Sequence, residues 1–256
     1  MRLTNAQRAD LDRDGYLVLP DLFSPEEIGV LRASVPALMA ETCDDNTHEA
    51  DGEQVRNMLG LHRRNPLFGR LARHPRLLEP ALQILGEDVY LQQCKINVKA
   101  GFGGGGFDWH TDFATHHSRD GVPRPLALNL HVFLDDVSEF NGPLYFAPGS
   151  HKMDVRAERS VDGEKWELWT IPDAEVARVI GTTGLVSITG GRGTGVIFGD
   201  RLLHGSPENM SPWSRWIYSS IVNPVSNRPT KRDLPQRQHE QDFAPLQPLP
   251  DDCLAA

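Results

Sequence analysis

At about residue 88 the spacing of apolar side chains changes from a helical to an extended period, and that change confines the fold more than any other feature. In LALNLHVFL, Leu126, Leu128, Leu130, Val132 and Leu134 leave one face while Ala127, Asn129, His131 and Phe133 leave the other, which is the two-residue alternation of a strand. DVYLQQCKINVK is a strand candidate before it, and shorter ones follow at 143–147, 185–189, 196–199 and 213–222, parted by glycine, proline and asparagine turns. Helices first and short strands later describe one α+β unit, a jelly-roll barrel backed by N-terminal helices.

The opening third carries the helix signals. Thr4 is placed to cap a helix that stops near Gly15, and Tyr16 to Leu19 read as a buried strand ended by Pro20. In SPEEIGVLRASV, Ser24 stands at the N-cap, Pro25 at the first helical position and Glu27 three residues after the serine, the pattern of a capping box. Ile28, Leu31 and Val35 fall on one face, and Pro36 is expected to kink or end the helix. A further helix is expected from Arg76 to Leu85, closed by Gly86, and residues 42–56 read as polar loop. The division is therefore a single domain over 1–256: helical support over 1–87, a jelly-roll core over 88–225 and a polar tail over 226–256. Residues 153–184 interrupt the core as an insertion or lid in which charged residues alternate with Trp166, Trp169 and Ile171.

Composition narrows the partners. A net charge of −9 argues against nucleic acid, whose phosphates need clustered lysine and arginine. No apolar run approaches the roughly 20 residues that cross a bilayer, and the first residues lack the apolar core of a secretory signal. Cys43, Cys94 and Cys253 lack metal-binding spacing and are odd in number, so no disulfide framework is expected and the cytoplasm is the default compartment. A small-molecule substrate and a monomer or homodimer are the expectation.

The chemistry is announced by GFDWHTDF, residues 106–113. His110 and Asp112, two apart after the glycine run 103–106, leave one face of an extended chain and so can aim at one point. Among the ten histidines, His48, His62, His74 and His239 read as solvated, His116 and His117 as turn residues, His131 as barrel-lining or core, and His151 as structural. His204 differs: it follows an apolar strand and a Gly-Asp turn, 92 residues after Asp112. Two imidazoles and one carboxylate with positions left open are the ligand set of non-haem Fe(II) oxygenases, whereas zinc favours three histidines or thiolates. Arg215 lies eleven residues after His204. A guanidinium grips a carboxylate with two parallel hydrogen bonds and stays charged when buried, so Arg215 fits a 2-oxo acid that donates electrons to O2. A surface ion pair is the competing explanation of the same arginine. Ser206, two residues past His204, would add a hydrogen bond to the far carboxylate.

With these motifs in hand, the chain resembles the phytanoyl-CoA dioxygenase family of Fe(II)/2-oxoglutarate oxygenases, and within it the bacterial branch of ectoine hydroxylase and free-amino-acid hydroxylases such as leucine hydroxylase. The likeness rests on DGYLVLPDLFSPEEI, QQCKIN, FDWHTDFATHHSRDGVPRPLALNLHVFLDD, EFNGPLYFAPGSH and HGSPENMSPWSR, and it spans roughly residues 10–225. It implies a double-stranded β-helix (cupin-like) core, with Fe(II), 2-oxoglutarate and O2 as cofactor and cosubstrates. It implies His110, Asp112 and His204 as iron ligands, Arg215 and Ser206 as binders of the 2-oxoglutarate C5 carboxylate, and Asn97 as a further cosubstrate contact. Gln93 matches a position facing cosubstrate and substrate, and Phe198 an aromatic wall. The departures concern substrate: His116 stands where the ectoine branch has tryptophan, Lys95 where it has arginine, and Ser219 where it has an aromatic. That points away from an ectoine cage and toward the amino-acid hydroxylases.

The expected reaction is oxidative decarboxylation of 2-oxoglutarate coupled to C–H hydroxylation of a free amino acid or its derivative. For such a substrate, Lys95, Arg124, His116 and His131 are candidates on the carboxylate side, and Asp108 or Asp136 on the ammonium side. Three alternatives stay open: the same chemistry on an acyl thioester or a polyketide or terpenoid intermediate, a cupin-like metal enzyme independent of 2-oxo acid, and a non-catalytic binding module.

Overall fold

The computed structural model describes residues 1–159, 169–231 and 239–255. Thirteen strands are present among them: β1 (Tyr16–Leu19), β2 (Asn46–His48), β3 (Val55–Leu59), β4 (Val89–Lys99), β5 (Phe107–His110), β6 (Leu128–Phe133), β7 (Leu144–Phe146), β8 (Glu158–Arg159), β9 (Trp169–Thr170), β10 (Val186–Ile188), β11 (Gly195–Gly199), β12 (His204–Ser206) and β13 (Arg215–Pro224). The α-helices are α1 (Asn5–Asp14), α2 (Pro25–Met39), α3 (Leu61–Arg64), α4 (Pro66–Leu71), α5 (Pro75–Leu85), α6 (Asp112–Thr115) and α7 (Asp173–Thr183). Antiparallel pairing builds a seven-stranded sheet in the order β1-β11-β6-β13-β4-β3-β2 and a four-stranded sheet in the order β10-β7-β12-β5. The pair forms an α+β jelly roll.

Helix ends follow the sequence signals. Thr4 and Ser24 each close a capping box, with Gln7 and Glu27 as the returning side chains, and Gly15 and Gly86 adopt the left-handed conformation that stops α1 and α5. Pro36 does not end α2, which runs on to Met39: Val35 and Leu38 on either side are buried and hold the turn that lacks one amide hydrogen bond.

Alternation divides the large sheet into two faces. Leu91, Cys94, Ile96 and Val98 of β4, Leu128, Leu130 and Val132 of β6, and Tyr218 and Val222 of β13 pack outward against Ile28, Leu31, Phe68 and Leu77 of the helices. The opposite face looks toward the small sheet. At one end it is apolar, where Phe133, Val196, Phe198 and Ile217 meet Leu144 and Phe146. The rest of that face is polar. The small sheet is covered on its far side by α7, through Val176, Val179, Ile171, Ala147 and Leu203.

Several expectations need correction. Residues 42–56 are not simply loop: β2 and the start of β3 lie there, and Asn57, Met58 and Leu59 of β3 pair with Asn97, Ile96 and Lys95. An edge strand carries few β-branched residues and reads as polar from sequence. The strands thus begin well before residue 88. His74 and His239 are buried, not solvated, and His62 is half-buried with its Nε2 3.6 Å from the Glu240 carboxylate. Residues 239–255 run mostly exposed along the surface, as a polar tail would, but are anchored by buried His239, Glu240 and Leu254. The insertion places Trp169 in β9 and Ile171 under α7, while Trp166 lies outside the described residues. Among the described residues the cysteines are free, and no helix is long and apolar enough to cross a membrane.

Candidate metal centre and cosubstrate pocket

The glycine run is where the site begins. After β4 the chain folds back so tightly that a Cβ on Gly104 would stand 2.6 Å from the Lys99 Cα. Lys99 is buried and donates from Nζ to the carbonyl oxygens of Gly105 and Pro207, both at 2.6 Å. This tie joins the loop before β5 to the loop after β12. The two strands then pair with His110 opposite His204, and the ring centroids lie 4.1 Å apart. Thr111 keeps an extended backbone, so Asp112, although it is the first residue of α6, emerges on the same side as His110. The Phe113 amide donates to the Asp200 carbonyl at 2.9 Å, which seats α6 on the turn between β11 and β12.

One donor atom from each of His110, Asp112 and His204 lies within 4.8 Å of the others. His110 Nδ1 is 2.7 Å from the Asp108 carbonyl and His204 Nδ1 is 2.9 Å from the Leu202 carbonyl. A carbonyl only accepts, so both Nδ1 atoms carry the proton and both Nε2 atoms offer a lone pair. Those Nε2 atoms stand 3.6 and 3.9 Å from the Asp112 carboxylate. Asn129 Nδ2 donates to Asp112 Oδ2 at 2.7 Å and fixes its rotation. Burial opposes ionisation of Asp112, yet His204 and His110 hold its carboxyl well below the usual range. Burial, reinforced by His110, lowers His204 to about 4, so the imidazole is neutral, as a ligand must be.

Arg215 opens β13 opposite Lys99. Asp135 Oδ2 accepts from Ser214 Oγ and from the Trp216 amide, both at 3.0 Å, and so pins the residues on either side of it. The guanidinium is only 1% exposed, its Nε has no partner, and among the described residues no carboxylate pairs with it. Burial and the nearby Arg56 lower it to about 9, and burial with Arg215 and Arg56 lowers Lys99 to about 6. Ser206 Oγ is also buried and unpartnered. An isolated buried cation is costly, so this end of the space between the two sheets is suited to an anion.

Register places the remaining candidates. Rungs across the inner face run Ile217–Asn97, Ser219–Lys95 and Ile221–Gln93, with His131 beside Ser219 and Asn129 beside Ile221. Phe198 lies beside His131 and 5.1 Å from the His204 ring. His116 Nδ1, His131 Nδ1 and Ser219 Oγ are buried without partners. Burial lowers His116 to about 4 and His131 to about 3, and it lowers Lys95 against the pull of Asp112.

Three candidates fall elsewhere. Arg124 is exposed and its guanidinium donates to Ser226. Asp136 is 71% exposed and faces Arg192. Asp108 is exposed too, contributing only its carbonyl. Proximity in sequence to the HxD motif misled in all three cases. Conversely, Asn129, Lys99 and Asp135 were missed. Asn129 was legible, since it shares the polar face of LALNLHVFL with His131.

The family model for phytanoyl-CoA dioxygenase matches residues 11–217. The chain belongs to the phytanoyl-CoA dioxygenase family. It is 37% identical over 266 aligned residues to the ectoine dioxygenase of Bordetella bronchiseptica, covering 96% of this chain and 86% of that one. It is 33% identical over 253 residues to the L-proline trans-4-hydroxylase of Streptomyces griseoviridis, covering 94% of each. The crystal structure of EctD from S. alaskensis with 2-oxoglutarate and 5-hydroxyectoine superposes with a TM-score of 0.87 at 33% identity, over 96% of this chain and 87% of that one. A family member with this donor set fits iron.

Proposed function

We propose that this family member hydroxylates an unactivated C–H bond of a free amino acid or a close derivative. It is a 2-oxoglutarate-dependent non-haem iron dioxygenase acting on a small amino-acid-like substrate, in keeping with its ectoine dioxygenase and proline hydroxylase relatives. Iron with 2-oxoglutarate and O2 supplies the oxidising power, the cosubstrate leaving as succinate and CO2.

The chain's own residues do the holding. His110, Asp112 and His204 offer the iron two imidazole nitrogens and a carboxylate, fixed by the carbonyls of Asp108 and Leu202 and by Asn129. Arg215, helped by Ser206, takes the far carboxylate of 2-oxoglutarate, with Asn97 and Gln93 along the same wall. Phe198 keeps water from the side of His204. Lys95 and His131 share the Ser219 rung, between the Asn97 and Asn129 rungs, and together with His116 they offer buried polar groups to a substrate carboxylate. The ectoine reading is weaker because His116 and Ser219 replace the aromatic surfaces a ring would lie on.

The observation that carries this reading is the Arg215 guanidinium, buried without an anion on the same inner face as Asn129, which braces Asp112. The experiment is a succinate-release screen with Fe(II), 2-oxoglutarate and a panel containing proline, leucine, lysine, their homologues and ectoine. Stimulation above the uncoupled background by an amino acid is expected. Stimulation by none of them, or by ectoine alone, would overturn the substrate class.

A further inference from the structure

A buried chain of Tyr90, His239, Asp120 and Arg119 takes no part in the reading above. Tyr90 Oη lies 3.0 Å from His239 Nε2, and His239 Nδ1 lies 3.5 Å from Asp120 Oδ2. A carboxylate only accepts, so His239 carries its proton on Nδ1 and receives the Tyr90 hydroxyl on Nε2. Arg119 closes on the same carboxylate with Nε and Nη2. Tyr90, His239 and Asp120 are each at most 1% exposed.

These bonds join three separate parts of the chain. Tyr90 belongs to β4. Asp120 ends the π-helical turn 116–120 that continues directly from α6, whose first residue is Asp112. His239 belongs to the C-terminal segment, whose Glu240 amide also donates to the Gln92 carbonyl at 2.8 Å. π-helical turns are rare, occur mostly as single turns, and often mark functional sites. The first residue of this one is His116, buried with Nδ1 unpartnered.

Position along the sheet gives the network its meaning. Tyr90 pairs with Asn223, eight residues along β13 from Arg215, or about 27 Å at the usual strand rise. Asn129, which holds Asp112, pairs with Ile221 between them. The network therefore stands beyond the metal ligands from the cosubstrate end, on the side left for the substrate.

We propose that His239 is a positioning residue that locks the π-turn onto β4, so that His116 faces the substrate end of the chamber. The C-terminal segment is then part of the substrate-binding wall and not a passive tail. Only the naming of that end rests on the function proposed above.

The test uses the iron-loaded full chain with His239→Phe, which keeps a ring but no polar bonds, and His239→Gln, which can accept from Tyr90 and donate to Asp120. Amide exchange across residues 116–122 should quicken about tenfold in the Phe variant and return close to the wild-type rate in the Gln variant, while 107–112 and 203–206 stay unchanged. The KM for 2-oxoglutarate in uncoupled succinate release should stay within about twofold in both variants. With L-proline as probe, where the wild type oxidises it, the Phe variant should raise its KM about tenfold and change kcat less. Unchanged exchange at 116–122, or equal loosening at 107–112 and 203–206, overturns the proposal. Absence of succinate release from the wild type would instead count against the function itself, and the exchange result would still decide the role of His239.

Discussion

The two faces of β4 obey different rules although their residues alternate along one strand. Leu91, Cys94, Ile96 and Val98 look outward into the helical core, close-packed among aliphatic neighbours. Gln93, Lys95, Asn97 and Lys99 look inward. β13 repeats the division, with Tyr218 and Val222 outside and Arg215 and Ser219 inside. The outer face is satisfied by its own packing, whereas the inner face leaves Arg215 Nε, Ser219 Oγ and His131 Nδ1 without partners, and Ser206 Oγ of β12 in the small sheet lacks one too. A buried polar group left in that state costs about 1–3 kcal/mol. Their concentration on one face marks where stability has been given up for ligands, and the outer core is what makes that tolerable.

The contrast can be broken first at the ligands. Asp112→Ala should lower succinate release at least about a thousandfold, a loss of roughly 4 kcal/mol in transition-state stabilisation, and abolish iron retention in a metal assay. Cooperative thermal unfolding should persist.

The outer face should behave in the opposite way. Ile96 is fully buried among aliphatic side chains, so Ile96→Ala should reduce unfolding free energy by about 2–5 kcal/mol in denaturant titrations. Its kcat/KM per folded molecule should be unaltered. A catalytic defect without a stability loss would erase the distinction.

Arg215→Met tests the inner face where charge matters most. The 2-oxoglutarate concentration needed for half-maximal turnover should rise about a hundredfold. Because an unpaired buried cation is removed, the melting temperature of the ligand-free protein should stay level or rise. A marked fall would mean that the guanidinium supports the fold.

The smallest effect concerns acid. Burial raises the Asp120 carboxyl, but His239 and Arg119 outweigh it and hold the group at about 2. The folded value lies below the unfolded one, so its contribution, about 2 kcal/mol, is complete above pH 4 and disappears as pH falls toward 2. Unfolding free energy of Asp120→Asn should lack that slope between those limits. A slope identical to wild type would show that Asp120 is not held by these partners.

Much of this contrast was legible in the sequence because period and spacing are local. The capping boxes at Thr4 and Ser24, the alternation of LALNLHVFL and the HxD pair are each written within a few residues. His204 was legible through its glycine-flanked setting and Arg215 through its distance from it. Long-range pairing was not. Nothing local in Asn46 to His48 says that they join an edge strand, and nothing near His239 says that a turn more than a hundred residues earlier will bury it. Charge alone misplaced Arg124, because an arginine near the motif in sequence can still face solvent.

In the function proposed above, His110, Asp112 and His204 share one ferrous ion while Arg215 holds the far end of the acid consumed there. Anaerobic titration of the iron-loaded protein with 2-oxoglutarate, followed by the visible absorption of the iron chelate, tests both halves at once. One equivalent should saturate the wild type, Arg215→Met should require about a hundredfold more, and Asp112→Ala should give no signal. Equal affinity in wild type and Arg215→Met, or no chelate in the wild type, would contradict it.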